Sequence, residues 1–530
     1  MCGIYLRIER QQGNYSRQQK SFEEFSSMRH RGPDSSIFCV KELRLGHESY
    51  EVHYGFHRLA INDRSDAANQ PFTYEDGSFA MCNGEIYNFA QLQEKQLASY
   101  PFRSHSDCEV LFPLYEQYGV QMVDYLDGVF ALVLYSAQEK CFYIARDPLG
   151  EKPLYIGISE DSLVIASELK AAIHNEVQQF PPGTYGVIRG LGSVNCTQFF
   201  EYPTLGSEPI SFTASVQALQ EKLVDAVAKR LMSDVPVGVL LSGGIDSSGV
   251  AAIAAQLYPG QLKTFSIGVA DSTDLQCARR VADYLGTEHH EVQVSILDAL
   301  QEADTIIRVI ETFNPVLVPN HILLYFLAKY IREKTDVRVL LDGIGPDEAL
   351  GGYRFFAEAP SEAAYDEEIQ HQVQDLHKTE LLGERTFAAF GLETRSPYLD
   401  KALLTFLLAL PTEYRMSRSA YTNYEVKEKL LLRKVLTGRL PIEILERGKV
   451  PMPEGVGKVY LDTFEQAICD RVQEQAFKQE QQQFPLLHRT EYYYKQNFYN
   501  HFPWATQVVC GIQHTPWRSY QPNAVVYENT

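Results

Sequence analysis

The stretch from residue 235 to residue 257 constrains the fold more strongly than any other. An apolar run, Val235 to Leu241, leads into the small-residue turn Ser242-Gly243-Gly244 and then into an Ala-rich segment, Ser247 to Leu257. The apolar run has the length of a buried strand, and the Ala-rich segment favours a helix. A strand, a tight turn and a helix in this order form the building unit of parallel sheets that carry helices on both faces.

The same alternation continues on both sides of this unit. It predicts strands at Lys263 to Val269, His290 to Val294 and Val337 to Leu341, and helices at Ser215 to Leu231, Leu275 to Leu285 and Ile322 to Arg332. This part of the chain is therefore predicted to be an α/β domain with a doubly wound parallel sheet.

The first 200 or so residues follow a different pattern. Short β-rich stretches alternate with turns, as at Phe79 to Cys82 before Asn83-Gly84, which predicts stacked antiparallel sheets. The pattern changes within the stretch from Gly190 to Pro209. A chain of 530 residues is long enough for more than one domain at about 150 residues per domain. We therefore predict one domain over residues 1–205 and a second over residues 206–530.

Charge and cysteine content limit the possible partners and the compartment. The formal net charge of −20 repels phosphate backbones and anionic membranes, so neither a nucleic acid nor a membrane is expected as a partner. No apolar run reaches the roughly 18 residues of a membrane span, and the N-terminus lacks a signal pattern. The nine cysteines are scattered and odd in number, which favours a reducing compartment. A cytoplasmic location is predicted.

Cys2 directly follows the initiator methionine. Removal of Met1 would place a thiol and a free α-amine on one residue, and an amine with a pKa of about 7.7 to 8 can serve as the base for that thiol. A cysteine at this position is, taken alone, more often an inert thiol on an early strand. Its interpretation depends on the segments that accompany it.

Five segments of the first half form an ordered set. They are Met1-Cys2-Gly3-Ile4, His30-Arg31-Gly32-Pro33-Asp34, Phe56-His57-Arg58-Leu59-Ala60-Ile61, Asn83-Gly84-Glu85-Ile86-Tyr87-Asn88 and Ser106-Asp107. Together they resemble the class II glutamine amidotransferases, whose nucleophile is an N-terminal cysteine. The resemblance implies the αββα sandwich of the N-terminal-nucleophile (Ntn) hydrolases, and hydrolysis of glutamine to glutamate and ammonia by Cys2.

The resemblance also implies roles for individual residues. Asn83 and Gly84 would donate hydrogen bonds to the oxyanion, Arg58 would pair with the glutamine carboxylate, and Glu85 and Asp107 with its ammonium group. The full predicted glutamine site comprises Arg58, Leu59, Ala60, Ile61, Asn62, Asn83, Gly84, Glu85 and Asp107. Singly, Arg58 fits a surface ion pair, Asp107 a helix N-cap and Asn83-Gly84 a hairpin turn. His30 and His57 are expected to be structural.

The turn at residues 242–248 reads Ser-Gly-Gly-Ile-Asp-Ser-Ser and resembles the loop of ATP pyrophosphatases, which cleave ATP between its α and β phosphates. Backbone N–H groups in such a turn, at the start of a helix, can cradle phosphate. The residues expected at ATP are Leu240, Ser242, Gly243, Gly244, Asp246, Ser247, Ser248, Ile267, Asp342 and Gly343. Asp246 and Asp347 are expected to hold Mg²⁺, the second cofactor besides ATP.

The two halves together resemble the glutamine-dependent asparagine synthetases of the bacterial B type, up to about residue 505. In that family, a late lysine implicated in catalysis corresponds to Lys449, where an ammonium can neutralise phosphate charge. The resemblance implies a carboxylate acceptor that is adenylated and then converted to an amide by ammonia, and it allows a homodimer.

Two positions depart from the family pattern. Where asparagine synthetases read Ser-Gly-Glu-Gly-Ser-Asp-Glu, this chain has Ile344 in place of the first glutamate, and Pro319 stands where the family has an arginine. The residues expected near the acceptor are Ile344, Glu348, Pro319 and Glu393. An apolar side chain cannot accept a proton, and a lost cation weakens binding of a dicarboxylate.

Three interpretations follow from these departures. The favoured one is an amidotransferase that acts on a carboxylate other than aspartate. The second is a genuine asparagine synthetase, in which Glu348 or Glu393 takes over proton transfer. The third is a synthetase half that has lost its chemistry and serves as a nucleotide-binding or scaffold module, which the retained Asp246, Asp347 and Lys449 argue against.

Overall fold

The computed structural model describes residues 1–10, 15–270, 272–415, 428–450, 452–482, 486 and 488–505. The first half contains twelve strands, β1 (Gly3–Arg10), β2 (Ser35–Leu45), β3 (Glu48–Arg58), β4 (Phe72–Thr73), β5 (Phe79–Ile86), β6 (Gly128–Ser136), β7 (Cys141–Arg146), β8 (Tyr155–Ile158), β9 (Ser162–Ala166), β10 (Val177–Gln179), β11 (Thr184–Ile188) and β12 (Cys196–Gln198). Three helices accompany them, α1 (Tyr15–Ser26), α2 (Phe89–Lys95) and α3 (Leu111–Tyr118).

These strands form two antiparallel six-stranded sheets, in the orders β10-β8-β9-β1-β3-β2 and β12-β11-β7-β6-β5-β4. Alternate residues of β1 point to opposite faces, so Ile4, Leu6 and Ile8 pack against the other sheet, while Tyr5 packs with Phe25 near the end of α1. Helices α2 and α3 cover the outer face of the second sheet. This is the αββα sandwich expected from the resemblance, and the predicted antiparallel sheets are confirmed.

The second half is built around a five-stranded parallel sheet. Its strands are β13 (Val237–Leu240), β14 (Lys263–Gly268), β15 (Glu288–Gln293), β16 (Val339–Leu341) and β17 (Glu393–Arg395), in the order β15-β14-β13-β16-β17. All four pairings are parallel, so the predicted sheet type is confirmed. Strand β17 was not predicted, because three residues carry no readable periodicity.

Helices surround this sheet. They are α4 (Phe212–Arg230), α5 (Ile245–Leu257), α6 (Thr273–Leu285), α7 (Ile296–Ile310), α8 (Leu317–Lys334), α9 (Pro346–Ala349), α10 (Glu362–Asp375), α11 (Gly383–Ala388), α12 (Lys401–Ala409), α13 (Thr412–Arg415), α14 (Leu430–Val435), α15 (Ile442–Leu445), α16 (Met452–Cys469), α17 (Glu474–Gln481) and α18 (Arg489–His501). Helices α4 and α6 begin earlier than predicted because Ser211 and Ser272 cap them, each accepting a backbone N–H at the third following residue.

The two halves share buried surface. Leu59, Ile61 and Leu149 of the first half belong to the same apolar cluster as the core around β13, α4 and α5. Within the described part of the chain, no helix is both long and apolar enough to cross a membrane. The eight cysteines that the structure describes are all free, and Cys510 lies outside the described residues.

Candidate active sites

Cys2 lies immediately before β1, at the end of the strand that pairs with β3. Its backbone N–H donates to Asn83 Oδ1 at 2.8 Å, and its carbonyl accepts from Arg31 Nε at 2.7 Å. The Sγ atom is 4.0 Å from the Leu59 carbonyl oxygen. Burial raises the pKa of the Cys2 thiol to about 11, so the thiol is neutral at neutral pH and needs a base before it can attack.

Asn83 and Gly84 lie on β5, beside β6. The Asn83 side chain is fully buried, and its Nδ2 donor has no partner among the described residues. Gly84 packs so closely on the backbone of Val129 and Phe130 that a Cβ atom would clash. The structure thus brings a buried donor, unpaired among the described residues, onto the side chain that contacts Cys2.

Two buried carboxylates face this pocket. Glu85 accepts a short hydrogen bond from Asn62 Nδ2 and lies 3.4 Å from Arg395, while Asp107 accepts the Ile86 N–H at 2.7 Å. Burial raises the pKa of Asp107 to about 6, and burial followed by the nearby Asp107 charge raises the pKa of Glu85. Two carboxylates that repel each other in a desolvated site favour a nearby cation, and the Arg395 guanidinium is one such cation.

Arg58, the last residue of β3, forms hydrogen bonds with the loop that follows it. Its guanidinium donates to the Ser65 carbonyl at 2.8 Å and to Asn69 Oδ1 at 2.9 Å, and also to the carbonyls of Asn62 and Asp63. This network shapes the loop that contains Leu59, Ala60 and Ile61. The Arg58 side chain is therefore already saturated at both of its terminal nitrogens.

The two histidines of the motifs make structural contacts. His57 stacks on Phe25 with ring centroids 3.8 Å apart, and its Nε2 bonds to the Phe25 carbonyl at 2.9 Å. Burial lowers the pKa of His57 to about 4. His30 Nε2 lies 3.0 Å from Glu168.

The second site lies at the carboxyl edge of the parallel sheet, where ligands of open α/β folds bind. The turn after β13 has Gly243 at φ 73° packed against Ala278, and the Ser247 hydroxyl accepts the Ser242 N–H at 3.2 Å. Gly343, after β16, approaches the Ser247 backbone so closely that a side chain would not fit. Leu240 is the last residue of β13, Ile267 is the next-to-last residue of β14 and Asp342 directly follows β16, so all three lie along the same edge. Gly244 immediately precedes α5, and Ser248 lies in its first turn.

The carboxylates of Asp246 and Asp347 converge on Lys429. The Lys429 Nζ lies 2.5 Å from Asp246 and 2.6 Å from Asp347, and Lys449 pairs with the other oxygen of Asp347. Lys429 is almost fully buried and was not among the predicted site residues. Sequence reasoning missed it because a lone lysine in Glu428-Lys429-Leu430 carries no local signal.

The four acceptor-side candidates do not form one group. Ile344 is half-buried against the apolar cluster that also touches Cys2, and Pro319 is buried in the first turn of α8. Glu348 accepts a short hydrogen bond from the Tyr353 hydroxyl, and burial, with Asp347 and Glu380 nearby, raises its pKa to about 7. Glu393 instead pairs with the Met1 ammonium group at 3.3 Å and with Arg395 at 2.8 Å.

These contacts correct the expectation for Glu393. It belongs to the amino end of β17, opposite Val339, whereas Asp342 marks the carboxyl end of the neighbouring strand. Its carboxylate faces the N-terminus of the chain, and no contact of Glu393 with the other three acceptor-side candidates is found among the described residues.

Comparison with known proteins agrees with this two-site arrangement. The family model for asparagine synthase matches residues 218–385 and 357–507, and the model for a glutamine amidotransferase domain matches residues 1–189. Asparagine synthetase [glutamine-hydrolyzing] 2 of Arabidopsis thaliana is 35% identical over 523 residues, which cover 95% of this chain and 88% of that protein. Asparagine synthetase B [glutamine-hydrolyzing] of Escherichia coli (strain K12) is 31% identical over 536 residues, covering 96% and 93%.

Among solved structures, a glutamine phosphoribosylpyrophosphate amidotransferase from B. subtilis matches with a TM-score of 0.31 and 16% identity, over 70% of this chain and 89% of that chain. This likeness is too low to say anything about function. The sequence matches are far more extensive, because they span both halves and nearly the full length of the relatives. The chain belongs to the asparagine synthase family and carries that family's glutamine amidotransferase domain at its N-terminal end.

Proposed function

We propose that this chain is a glutamine-hydrolysing, ATP-dependent asparagine synthetase, with aspartate as its acceptor. The observation that supports this most is that one chain holds both the Cys2 pocket and the Gly-containing turn at the carboxyl edge of the parallel sheet, and matches named asparagine synthetases over 95% of its length. The relatives favour aspartate over the other carboxylate that the sequence departures suggested. The proposal concerns glutamine, ATP and aspartate as substrates.

The first half-reaction would use Cys2 after removal of Met1. The freed α-amine takes the thiol proton, and the thiolate attacks the amide carbon of glutamine. Asn83 Nδ2 and the Gly84 N–H stabilise the oxyanion, while Glu85 and Asp107 hold the substrate ammonium group. Ammonia leaves, and water then hydrolyses the thioester to glutamate.

The second half-reaction would take place at the carboxyl edge of the parallel sheet. The turn at residues 242–248 and the Asp342-Gly343 backbone hold ATP, and the aspartate side-chain carboxylate attacks the α-phosphate so that pyrophosphate leaves. Asp246 and Asp347 suit Mg²⁺, since both are carboxylates and Asp246 Oδ1 is buried without a partner among the described residues. That ion would neutralise phosphate charge, and Lys429 and Lys449 add two ammonium groups on the same side.

Ammonia must pass from Cys2 to the adenylated acceptor without being protonated. Cys2 and Ile344 both pack against one apolar cluster, which includes Leu59, Ile61 and Leu399. An apolar route of this kind favours the neutral molecule and excludes water. Ammonia that arrives near Ile344 would attack the aspartyl-adenylate and release AMP.

A carboxylate other than aspartate is the second candidate acceptor. Ile344 and Pro319 support it, since they remove a carboxylate and a cation that the family pattern places in this region. A less anionic acid would need less compensating charge when desolvated.

The deciding experiment measures pyrophosphate release by Met-processed protein with ATP, Mg²⁺ and glutamine, with and without aspartate, and identifies the amide by mass spectrometry. Aspartate-dependent pyrophosphate release together with asparagine supports the proposal. Glutamate formation without any aspartate response would contradict aspartate as the acceptor and direct a screen to other carboxylic acids. The Cys2→Ala variant is the control: it should make asparagine from ammonium chloride but not from glutamine.

Three further features are proposals that rest on the sequence. We place the domain boundary near residue 205, giving units 1–205 and 206–530, because this position lies between β12 and α4. A cytoplasmic location follows from the scattered cysteines, and a homodimer follows from the family resemblance alone. Size-exclusion chromatography with light scattering tests the last of these.

A further inference from the structure

A cleft of about 480 Å³ opens between the two halves of the chain, beside the loop that contains Leu59 and Ala60 of the predicted glutamine site. One wall is formed by Leu59 and Ala60, and the facing wall by Val235 and Pro236, which precede β13. Because β13 begins at this end, the cleft lies at the amino edge of the parallel sheet. The turn that faces phosphate, residues 242–248, follows the opposite end of the same strand.

Three arginines line the cleft: Arg64, Arg332 and Arg338. Among the described residues, neither Arg64 nor Arg332 has a hydrogen bond or an ion pair. Arg338 donates only to the main-chain carbonyls of Thr335 and Val337, at 3.1 and 2.7 Å. Burial and the neighbouring Arg332 guanidinium lower the pKa of Arg338, while Asp34 and Asp336 act in the opposite direction.

The two carboxylates of the cleft, Asp34 and Asp336, offset part of the charge of the three arginines. Asp336 pairs with Lys263 at 2.6 Å, outside the group of arginines. Asp34 accepts the Ala60 N–H at 2.8 Å, so the cleft has three guanidinium groups and two carboxylates. A locally cationic cleft on a chain of net charge −20 indicates a site for an anion.

The volume of the cleft and its lining residues indicate which class of anion it can bind. Ligand pockets usually enclose about 300–1,000 Å³, and guanidinium groups match phosphate oxygens through paired hydrogen bonds. The apolar wall of Leu59, Val235 and Pro236 offers a surface for a carbon skeleton. We propose that this cleft binds a small organic phosphate, with its phosphate group at Arg64, Arg332 and Arg338 and its carbon body against the apolar wall.

Isothermal titration calorimetry on the full chain tests this proposal, with ribose 5-phosphate and inorganic phosphate as probes. The variants are Arg332→Gln, the double variant R64Q/R332Q, and Arg64→Lys, which keeps the charge but loses the paired geometry. The matched control is Arg308→Gln, because Arg308 is an exposed arginine of α7 outside the cleft. Thermal unfolding of each variant confirms that it is folded.

We expect ribose 5-phosphate to bind the wild type and R308Q equally, R332Q and R64K at least about tenfold more weakly, and R64Q/R332Q not measurably, because each lost bidentate pair removes about 1.4 kcal/mol or more. Inorganic phosphate should bind more weakly than ribose 5-phosphate, since it lacks the carbon body. The proposal is overturned if the wild type does not bind, if the double variant binds as the wild type does, or if inorganic phosphate binds as tightly as the sugar phosphate.

Discussion

The Asn83 side chain uses only one of its two polar atoms: its Oδ1 accepts the Cys2 N–H, whereas its Nδ2 is buried without a partner among the described residues. A buried donor left unsatisfied costs about 1–3 kcal/mol, so such a group needs a compensating role. Hydrogen bonding to an oxyanion would supply it.

Asn83→Ala should lower kcat for glutamine hydrolysis by about 10²- to 10³-fold, because it removes one oxyanion donor. Synthesis from ammonium chloride should be unchanged, and this serves as the internal control for folding. Equal kcat in the variant and the wild type, measured as glutamate released, would show that Nδ2 has no part in the reaction.

The pKa of Asp107 predicts that kcat/KM for glutamine depends on pH. Its pKa is raised by burial to about 6, so the carboxylate is protonated below that pH and no longer attracts the glutamine ammonium group. We expect kcat/KM for glutamine to fall more steeply below pH 6 than above it. The Asp107→Asn variant should have a lower kcat/KM throughout and no break near pH 6; a break that persists would belong to another group.

The raised pKa of Asp107 also makes the free energy of unfolding depend on pH. A carboxyl whose pKa is higher in the folded than in the unfolded chain binds its proton more tightly when folded. Between about pH 4 and pH 6, the contribution of Asp107 to the free energy of unfolding therefore declines as the pH rises.

Lys429 is the residue whose removal should affect the synthetase half most selectively. Lys429→Met leaves the buried carboxylates of Asp246 and Asp347 without the ammonium group between them, and breaking such a pair costs about 3–5 kcal/mol. Pyrophosphate release should fall by about 100-fold or more, with glutamine hydrolysis retained. Lys434→Met, at an exposed lysine of α14, is the matched control and should behave as the wild type does.

At the scale of elements, Glu311 in the turn after α7 connects the second half of the chain to the first through hydrogen bonds. Glu311 has a left-handed backbone, with φ 57°, and its carboxylate accepts the N–H groups of Leu169 and Lys170 at 2.8 and 2.9 Å. These two groups begin a single helical turn, residues 169–171, in the first half. A side chain of one domain thus caps an element of the other.

Glu311→Ala should lower the free energy of unfolding by about 3 kcal/mol, because the buried Leu169 N–H and the half-buried Lys170 N–H lose a charged acceptor. The expected readout is a lower Tm by calorimetry, with the change absent from Gln301→Ala, an exposed position on the same helix. Equal Tm values for both variants would mean that water replaces the lost acceptor.

At the scale of the whole molecule, buried ion pairs join the two halves near Cys2. Arg31 is completely buried, pairs with Glu168 of its own half and with Glu384 of the other, and also donates to the Cys2 carbonyl. Arg385 donates to the Tyr155 hydroxyl at 2.7 Å across the same interface. These contacts hold the Cys2 pocket against the synthetase half.

Arg31→Gln should destabilise the fold by about 3–5 kcal/mol, since it removes the buried cation that pairs with both Glu384 and Glu168. Where the variant remains folded, a looser interface should let ammonia escape, so the ratio of glutamate formed to asparagine formed should rise above that of the wild type. Arg44→Gln, at an exposed arginine of β2, is the control. An unchanged ratio in folded Arg31→Gln would contradict a role of this contact in transfer.

Some features of this protein could be predicted from the sequence because their signal is local. The apolar run before Ser242 and the Ala-rich segment after it specify a strand, a turn and a helix, and the structure has β13 and α5 there. Short β-rich stretches punctuated by turns, such as Phe79 to Cys82 before Asn83-Gly84, identified the antiparallel half in the same way. The motifs around Cys2 and Asp246 could be recognised as short contiguous strings, so the family was predicted from them.

Other features depended on the tertiary structure, because they join residues that are distant along the chain. Lys429 meets Asp246 across 183 positions, and Arg395 meets Glu85 across the domain interface. Glu393 pairs with the N-terminus and makes no contact, among the described residues, with the other residues that were predicted to lie near the acceptor. Local sequence determines backbone preference and burial pattern, but the partner of a buried charge is decided only when the two domains pack and exclude water between them.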